Sequence, residues 1–187
     1  NTGTVILGND ASDVLTFAGG LATTGNGSNP GTVNAAGTIN TTNTRMDIGA
    51  VTLTKATTFD TGNAAAGVLN IGAVTSGTNS LTLDSGATAG ATMSLTSMVD
   101  ASGGLTIRDA GGLATIGDIG SGTAGAVTIT DSTGGVTFSG NVDSTTLTIT
   151  DTTDAAVVTF AQGGDVDITT SFDTANQGYA VTINSST

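Results

Sequence analysis

Histidine, cysteine, tryptophan and glutamate are all missing from this 187-residue chain, and proline occurs once, at Pro30. Without cysteine there are no disulfides and no thiolate metal sites. Without histidine, imidazole catalysis and most zinc sites are excluded. The basic residues are three, Arg45, Lys55 and Arg108; against 15 aspartates they leave a formal net charge of −12. That balance argues against nucleic acid, whose phosphates require Lys and Arg, and against anionic membrane surfaces. No apolar run approaches the length of a membrane span. The strong helix formers Glu, Lys, Arg, Gln and Leu are absent or scarce, which argues against helices.

What is present points to strands. Thr, Val and Ile suit a pleated surface, and 29 glycines supply turns. Gly, Ser and Thr are also common in disordered segments, but the recurrent Val, Ile and Leu and a mean hydropathy of +0.22 favour a packed core. At 187 residues the chain is long enough for one domain.

One phrase, apolar–Thr–apolar, returns along the chain. It reads VTLT at Val51, LTLD at Leu81, LTIRD at Leu105, VTITD at Val127, LTITD at Leu147 and VTIN at Val181. From Leu81 to Leu147 the intervals are 24, 22 and 20 residues. A second unit lies between: LATIGDI from Leu113, VTFSGNV from Val136 and VVTFAQGGDV from Val157. VLNIGAV from Val68 and ATMSLTSMV from Ala91 fit this unit loosely. Such alternation puts apolar residues on one side of each strand, and the intervening Gly, Asp, Ser, Thr and Asn suit corners.

These features predict an all-β, right-handed parallel β-solenoid with 20–24 residues per coil. Leu105, Val127 and Leu147 form one interior column, Ile107, Ile129 and Ile149 another, and Phe138 stacks on Phe160. At about 21 residues per coil the chain makes roughly eight or nine coils and a rod of roughly 40 Å. One domain spans 1–187, with 19–43, containing GNGSNPG, as a less regular or loop-rich segment. The interval of 30 residues from Val51 to Leu81 implies a longer loop there. The alternative is a β-sandwich, against which stands the shortage of core Trp and Tyr.

VTITDSTGGVTFSGNV, LTITDTTDAAVVTF and NTGTVILGNDASDVLTFAGG resemble the strand repeats of large bacterial surface proteins. Those families include autotransporter passengers, filamentous-haemagglutinin-like adhesins, and secreted filament or surface-layer proteins. The resemblance is at the level of repeats, and it implies an extracellular or cell-surface β-solenoid serving adhesion, coat formation or biofilm. It carries no catalytic motif onto this chain.

Asp109, Asp131 and Asp151 follow the strand in three successive units and stack as a like-charge ladder. Two unit charges about 5 Å apart repel by roughly 1 kcal/mol in bulk water. Either each carboxylate accepts backbone N–H groups at a solvated corner, or Ca²⁺ bridges neighbours, as suits hard oxygen ligands. Asp118, Asn141 and Asp165 raise the same question. Asp10 and Asp13 sit in one loose copy of a calcium-binding nonapeptide and read as turn residues, since such sites need tandem copies.

Polysaccharide cleavage by paired carboxylates is disfavoured by a 3% aromatic content and the absence of His and Cys, so the expectation is no enzyme and no catalytic residue. Rows such as Thr146–Thr148–Thr150 and Thr128–Thr130 offer an ice-binding ladder instead, interrupted by Arg108 and Asp84. Asn26, Asn40 and Asn184 head glycosylation sequons.

The ends complete the reading. Thr4, Val5, Ile6 and Leu7 and, far along the chain, Ala180, Val181, Thr182 and Ile183 read as strands, with no cap beyond them. Uncapped coils expose unpaired backbone, so either the chain is a slice of a longer rod or copies pair end to end. The start at Asn1, with no signal-like segment, fits a processed secreted protein or an excised piece. The expected role is a non-enzymatic extracellular structural protein, a homo-oligomer or polymer joined through these strands. The alternative is a ligand-binding adhesin segment or an ice-binding module.

Overall fold

The computed structural model describes residues 3–25, 30–150, 156–174 and 179–184. Its strands in chain order begin with β1 (Thr4–Leu7), β2 (Val14–Phe17), β3 (Leu21–Ala22), β4 (Thr32–Thr41), β5 (Met46–Ile48) and β6 (Val51–Asp60). There follow β7 (Leu69–Thr75), β8 (Leu81–Asp84), β9 (Met93–Val99), β10 (Leu105–Asp109), β11 (Ala114–Ser121) and β12 (Gly125–Ile129). The last are β13 (Val136–Phe138), β14 (Val142–Ile149), β15 (Val157–Phe160), β16 (Val166–Thr174) and β17 (Ala180–Ile183). The pairings between them are parallel. The fold is a parallel β-solenoid of about 7 turns. A sandwich of antiparallel sheets is excluded.

Three faces run the length of the solenoid. The first carries the column Val5–Val33–Val51–Val74–Met98–Ile119–Val142–Val166. The second carries Leu15–Ile39–Phe59–Leu83–Ile107–Ile129–Ile149. The third carries Leu21–Met46–Leu69–Met93–Ala114–Val136–Val158–Val181. All but the terminal members of these columns are buried. Period-two alternation produces this: at about 4.8 Å between rungs, each inward side chain packs on its counterparts above and below. Long strands such as β4, β6 and β14 turn a corner between the first two faces, where the register shifts.

The expected columns through Leu105, Val127 and Leu147 and through Ile107, Ile129 and Ile149 are present. Phe138 and Phe160 stack with centroids 5.0 Å apart and planes 7° from parallel. Three expectations are corrected. The coil count is about 7 rather than eight or nine, because early turns are longer than 21 residues: Val5 to Val33 takes 28. VTLT at Val51 belongs to the first face, stacked under Val74; the rung beneath Leu81 is Thr57–Asp60, so no loop of 30 residues interrupts the second face. VTIN at Val181 continues the third face above Val158. Within 19–43, β4 runs for 10 residues and buries Val33, Ala35, Ala36 and Ile39.

Candidate functional site

The aspartate corner follows the second face. Asp60, Asp84 and Asp109 stack in register at the strand ends. Two of them are ordinary turn formers. Asp60 Oδ1 accepts the Gly62 N–H at 2.7 Å, and Asp84 Oδ1 accepts the Gly86 N–H at 2.8 Å. Their other oxygens face Arg108, whose side chain reaches Asp84 Oδ2 at 2.5 Å and Asp60 Oδ2 at 3.4 Å. A bulge between Ile107 and Asp109 makes this possible: the extra residue leaves the ladder and lays one guanidinium across two lower rungs. Arg108 is thus a counter-charge for a column that would otherwise repel itself.

Asp109 is handled differently. Its counterpart donor, the Gly111 N–H, is spent on Gly86 O at 2.6 Å. Asp109 Oδ1 is buried without a hydrogen-bond partner. Burial first, then the charges of Asp131 and Asp84, raise its pKa to about 6 despite Arg108. Asp131 is half-buried nearby, and Asp151 lies outside the described residues. Among the described residues, no three His, Cys, Asp or Glu side chains gather as a metal-binding group.

The sign of the pH effect follows. A carboxyl whose folded pKa lies above its unfolded value costs stability once ionised, and that cost grows between pH 4 and about pH 6. Asp109→Asn is therefore expected to raise the melting temperature at pH 7.5, by on the order of 1 kcal/mol after solvent screening, and to leave it unchanged at pH 4. A variant less stable than wild type at pH 7.5 contradicts this. If Ca²⁺ neutralised the pair instead, millimolar Ca²⁺ would stabilise wild type and not the variant.

Behind the carboxylates runs a column of buried hydroxyls that sequence reading missed. Thr41, Thr61 and Ser85 each donate to a carbonyl of the turn that follows, on Thr44, Gly67 and Ala91. Ala110 occupies the next level, and Ser132 Oγ is buried without a partner. The signal was available: Asp60-Thr61, Asp84-Ser85, Asp109-Ala110 and Asp131-Ser132 repeat an Asp followed by a small residue.

Asp118, Asn141 and Asp165 form a second ladder, at the corner before the first face. Asp118 Oδ1 accepts the Asn141 N–H at 2.8 Å, and Asn141 Oδ1 accepts the Asp165 N–H at 2.9 Å. Each side chain thus holds the backbone of the rung above. On the third face, Arg45 donates to Asp47 at 2.7 Å, Asn70 to Asp47 at 2.8 Å and Ser94 to Asn70 at 2.8 Å. The hydrogen bond from Arg45 holds the Asp47 pKa below the usual carboxylate value. Asp10 and Asp13 close the turn between β1 and β2 by accepting N–H groups of Ser12, Asn9 and Asp10.

Outside the second face, Thr38, Thr58, Thr82, Thr106, Thr128 and Thr148 stack over six consecutive rungs. Arg108 and Asp84 belong to the neighbouring row and do not interrupt this one. The cavity of about 320 Å³ beside it is lined by Thr16, Asn40, Thr41, Thr42, Asn43, Asp60 and Gly62, with one carboxylate and no aromatic ring. Asn40 stacks between Thr16 and Asp60 inside the sheet, and Thr41 is buried. Asn26, Ser185 and Ser186 of the other sequons lie outside the described residues.

At the ends, β1, β2 and β3 form the first rung, and β16 and β17 the last. Ile6, Val14, Phe172 and Ile183 of these rungs are exposed, at 64%, 68%, 40% and 56%. Val5, Phe17, Leu21, Val166, Ile168 and Val181 pack on the core with one side only partly covered. Among the described residues, no helix is long and apolar enough to cross a membrane. Comparison with protein-family models, curated proteins and solved structures finds no match for this chain.

Proposed function

We propose that this chain is a non-enzymatic structural protein of the bacterial exterior, a subunit of a filament or lattice or a segment of a longer surface rod. One observation carries the reading: on the first and last described rungs, strand edges and core side chains have a neighbour on one side only. Such edges pair with other strands unless covered, and a heterologous contact between two different ends propagates instead of closing. The likeness of the repeats to bacterial surface proteins supports the location. A dilution series followed by light scattering tests the reading, with negative-stain microscopy of the same samples. Mass growing with concentration and unbranched particles of one width are expected. A particle of constant monomeric mass at millimolar concentration contradicts it.

The six-rung threonine row favours a second reading, a surface for a ligand with a matching repeat, ice included. Full-length protein inhibiting ice recrystallisation, and losing that effect on Thr106→Lys, would move the assignment to that reading.

A further inference from the structure

Resting on the self-assembly reading, we propose that copies join head to tail in a single register, with the Asp165 carboxylate of one copy accepting the Thr4 N–H of the next. The observation behind this is an unfinished ladder. Asp118 and Asn141 each accept the backbone N–H of the residue one rung above, at 2.8 and 2.9 Å. Asp165 stands third in that column, on the last described rung. Its Oδ1 accepts the N–H of its own neighbour, Val166, at 3.0 Å. The residue one rung up in the same column is, in the next copy, the one before Val5, because Val5 and Val166 belong to one column. That residue is Thr4.

Continuing the registers fixes the rest of the junction. Val5 lands on Val166, Leu15 on Thr174 and Leu21 on Val181, so the first and third columns continue with apolar contacts. On the outside, Asp167 meets Ile6, Asp173 meets Val14 and Thr182 meets Ala22, so no carboxylate stacks on another. The N-terminal aspartates, Asp10 and Asp13, are already held by their own turn. Joining two C-terminal rungs would instead bring Asp165, Asp167 and Asp173 of both copies together, a repulsion of several unit charges. The register also separates the two candidate assembly strands. Thr4–Leu7 continues the first face and meets the start of β16, whereas Ala180–Ile183 continues the third face and meets β3.

The chain has no cysteine, which makes the register directly testable. Vertical neighbours lie about 4.8 Å apart, within disulfide range. Ala22→Cys and a tagged Thr182→Cys chain, mixed and oxidised, are expected to form a mixed cross-linked dimer, while either variant alone forms none. Thr182→Cys linking to itself, or scattering-detected assembly without the mixed dimer, overturns the register. A mixture that stays monomeric by light scattering overturns the self-assembly reading with it. Asp165→Ala is expected to weaken association about tenfold, a typical loss for a charge-assisted hydrogen bond. Asp165→Asn is expected to retain it, since Asn141 performs the same task one rung lower. Wild-type association by Asp165→Ala removes Asp165 from the junction.

Discussion

Gly120→Ala is expected to abolish the native fold at 25 °C, read as loss of the cooperative urea transition and of soluble yield. Two effects coincide at this position. The backbone has φ +84, and a Cβ placed there lies 2.0 Å from Asp143 O, a backbone atom of the rung above. The left-handed conformation alone costs roughly 1–2 kcal/mol for a residue with a Cβ. The clash cannot be relieved by turning a side chain, so two rungs must separate, and with them the Ile119–Val142 pairing. Two other glycines separate the contributions. Gly163 has φ +96 with nothing within 4 Å of its Cβ position, so Gly163→Ala should cost only the backbone term. Gly19 has nothing within 4 Å and no positive φ, so Gly19→Ala should be neutral or slightly stabilising. If all three variants melt alike, inter-rung spacing at Gly120 is not limiting.

The second large effect belongs to the aromatic stack. Phe138 is fully buried and packs between Ile116 below and Phe160 above. Phe138→Ala is expected to cost about 3–5 kcal/mol, the usual range for a buried Phe reduced to Ala. Against a total of about 5–15 kcal/mol for a typical domain, that is a large share. In a repeat fold the loss falls on the two interfaces that flank the rung. The urea midpoint should drop sharply, and the slope of the transition should fall too if the C-terminal rungs detach first. Phe138→Leu keeps most of the volume and should recover more than half of the loss. A Phe138→Ala midpoint close to wild type would mean that the core collapses around the gap.

How far the fold was legible depended on which residues repeated. The stretch from Leu105 to Phe160 states its own register, because LTIRD, VTITD and LTITD share both alternation and identity. Elsewhere the same alternation is ambiguous between faces. V-T-L-T at Val51 and V-T-I-N at Val181 have the phrase of the second face but lie on the first and third. The true rung at Thr57–Asp60 places Thr57 where Leu81 stands above it, and so escaped the pattern. That threonine is buried because its hydroxyl is satisfied locally, donating to Lys55 O at 2.9 Å.

The corner chemistry was half legible. Aspartate at a fixed place after the strand was visible in the sequence, and Asp60 and Asp84 serve as turn acceptors. The role of Arg108 was not visible, since it depends on a one-residue bulge that no periodic pattern contains. Neither was the isolation of Asp109 Oδ1, which follows from the Gly111 N–H bonding to Gly86 O in another rung. The ladder of Asp118 and Asn141 joins residues 23 apart, so it needed the stacking register before it could be drawn.

The central functional claim is that rods continue through their end rungs. Helical reconstruction of the assembled particles tests it most directly, through the axial rise per subunit. The first-face column from Val5 to Val166 has eight rungs, so head-to-tail stacking predicts a rise of about 38 Å, with the spacing of about 4.8 Å unbroken across each junction. A repeat of twice that length, from copies paired end against like end, or particles without an axial repeat, would contradict it.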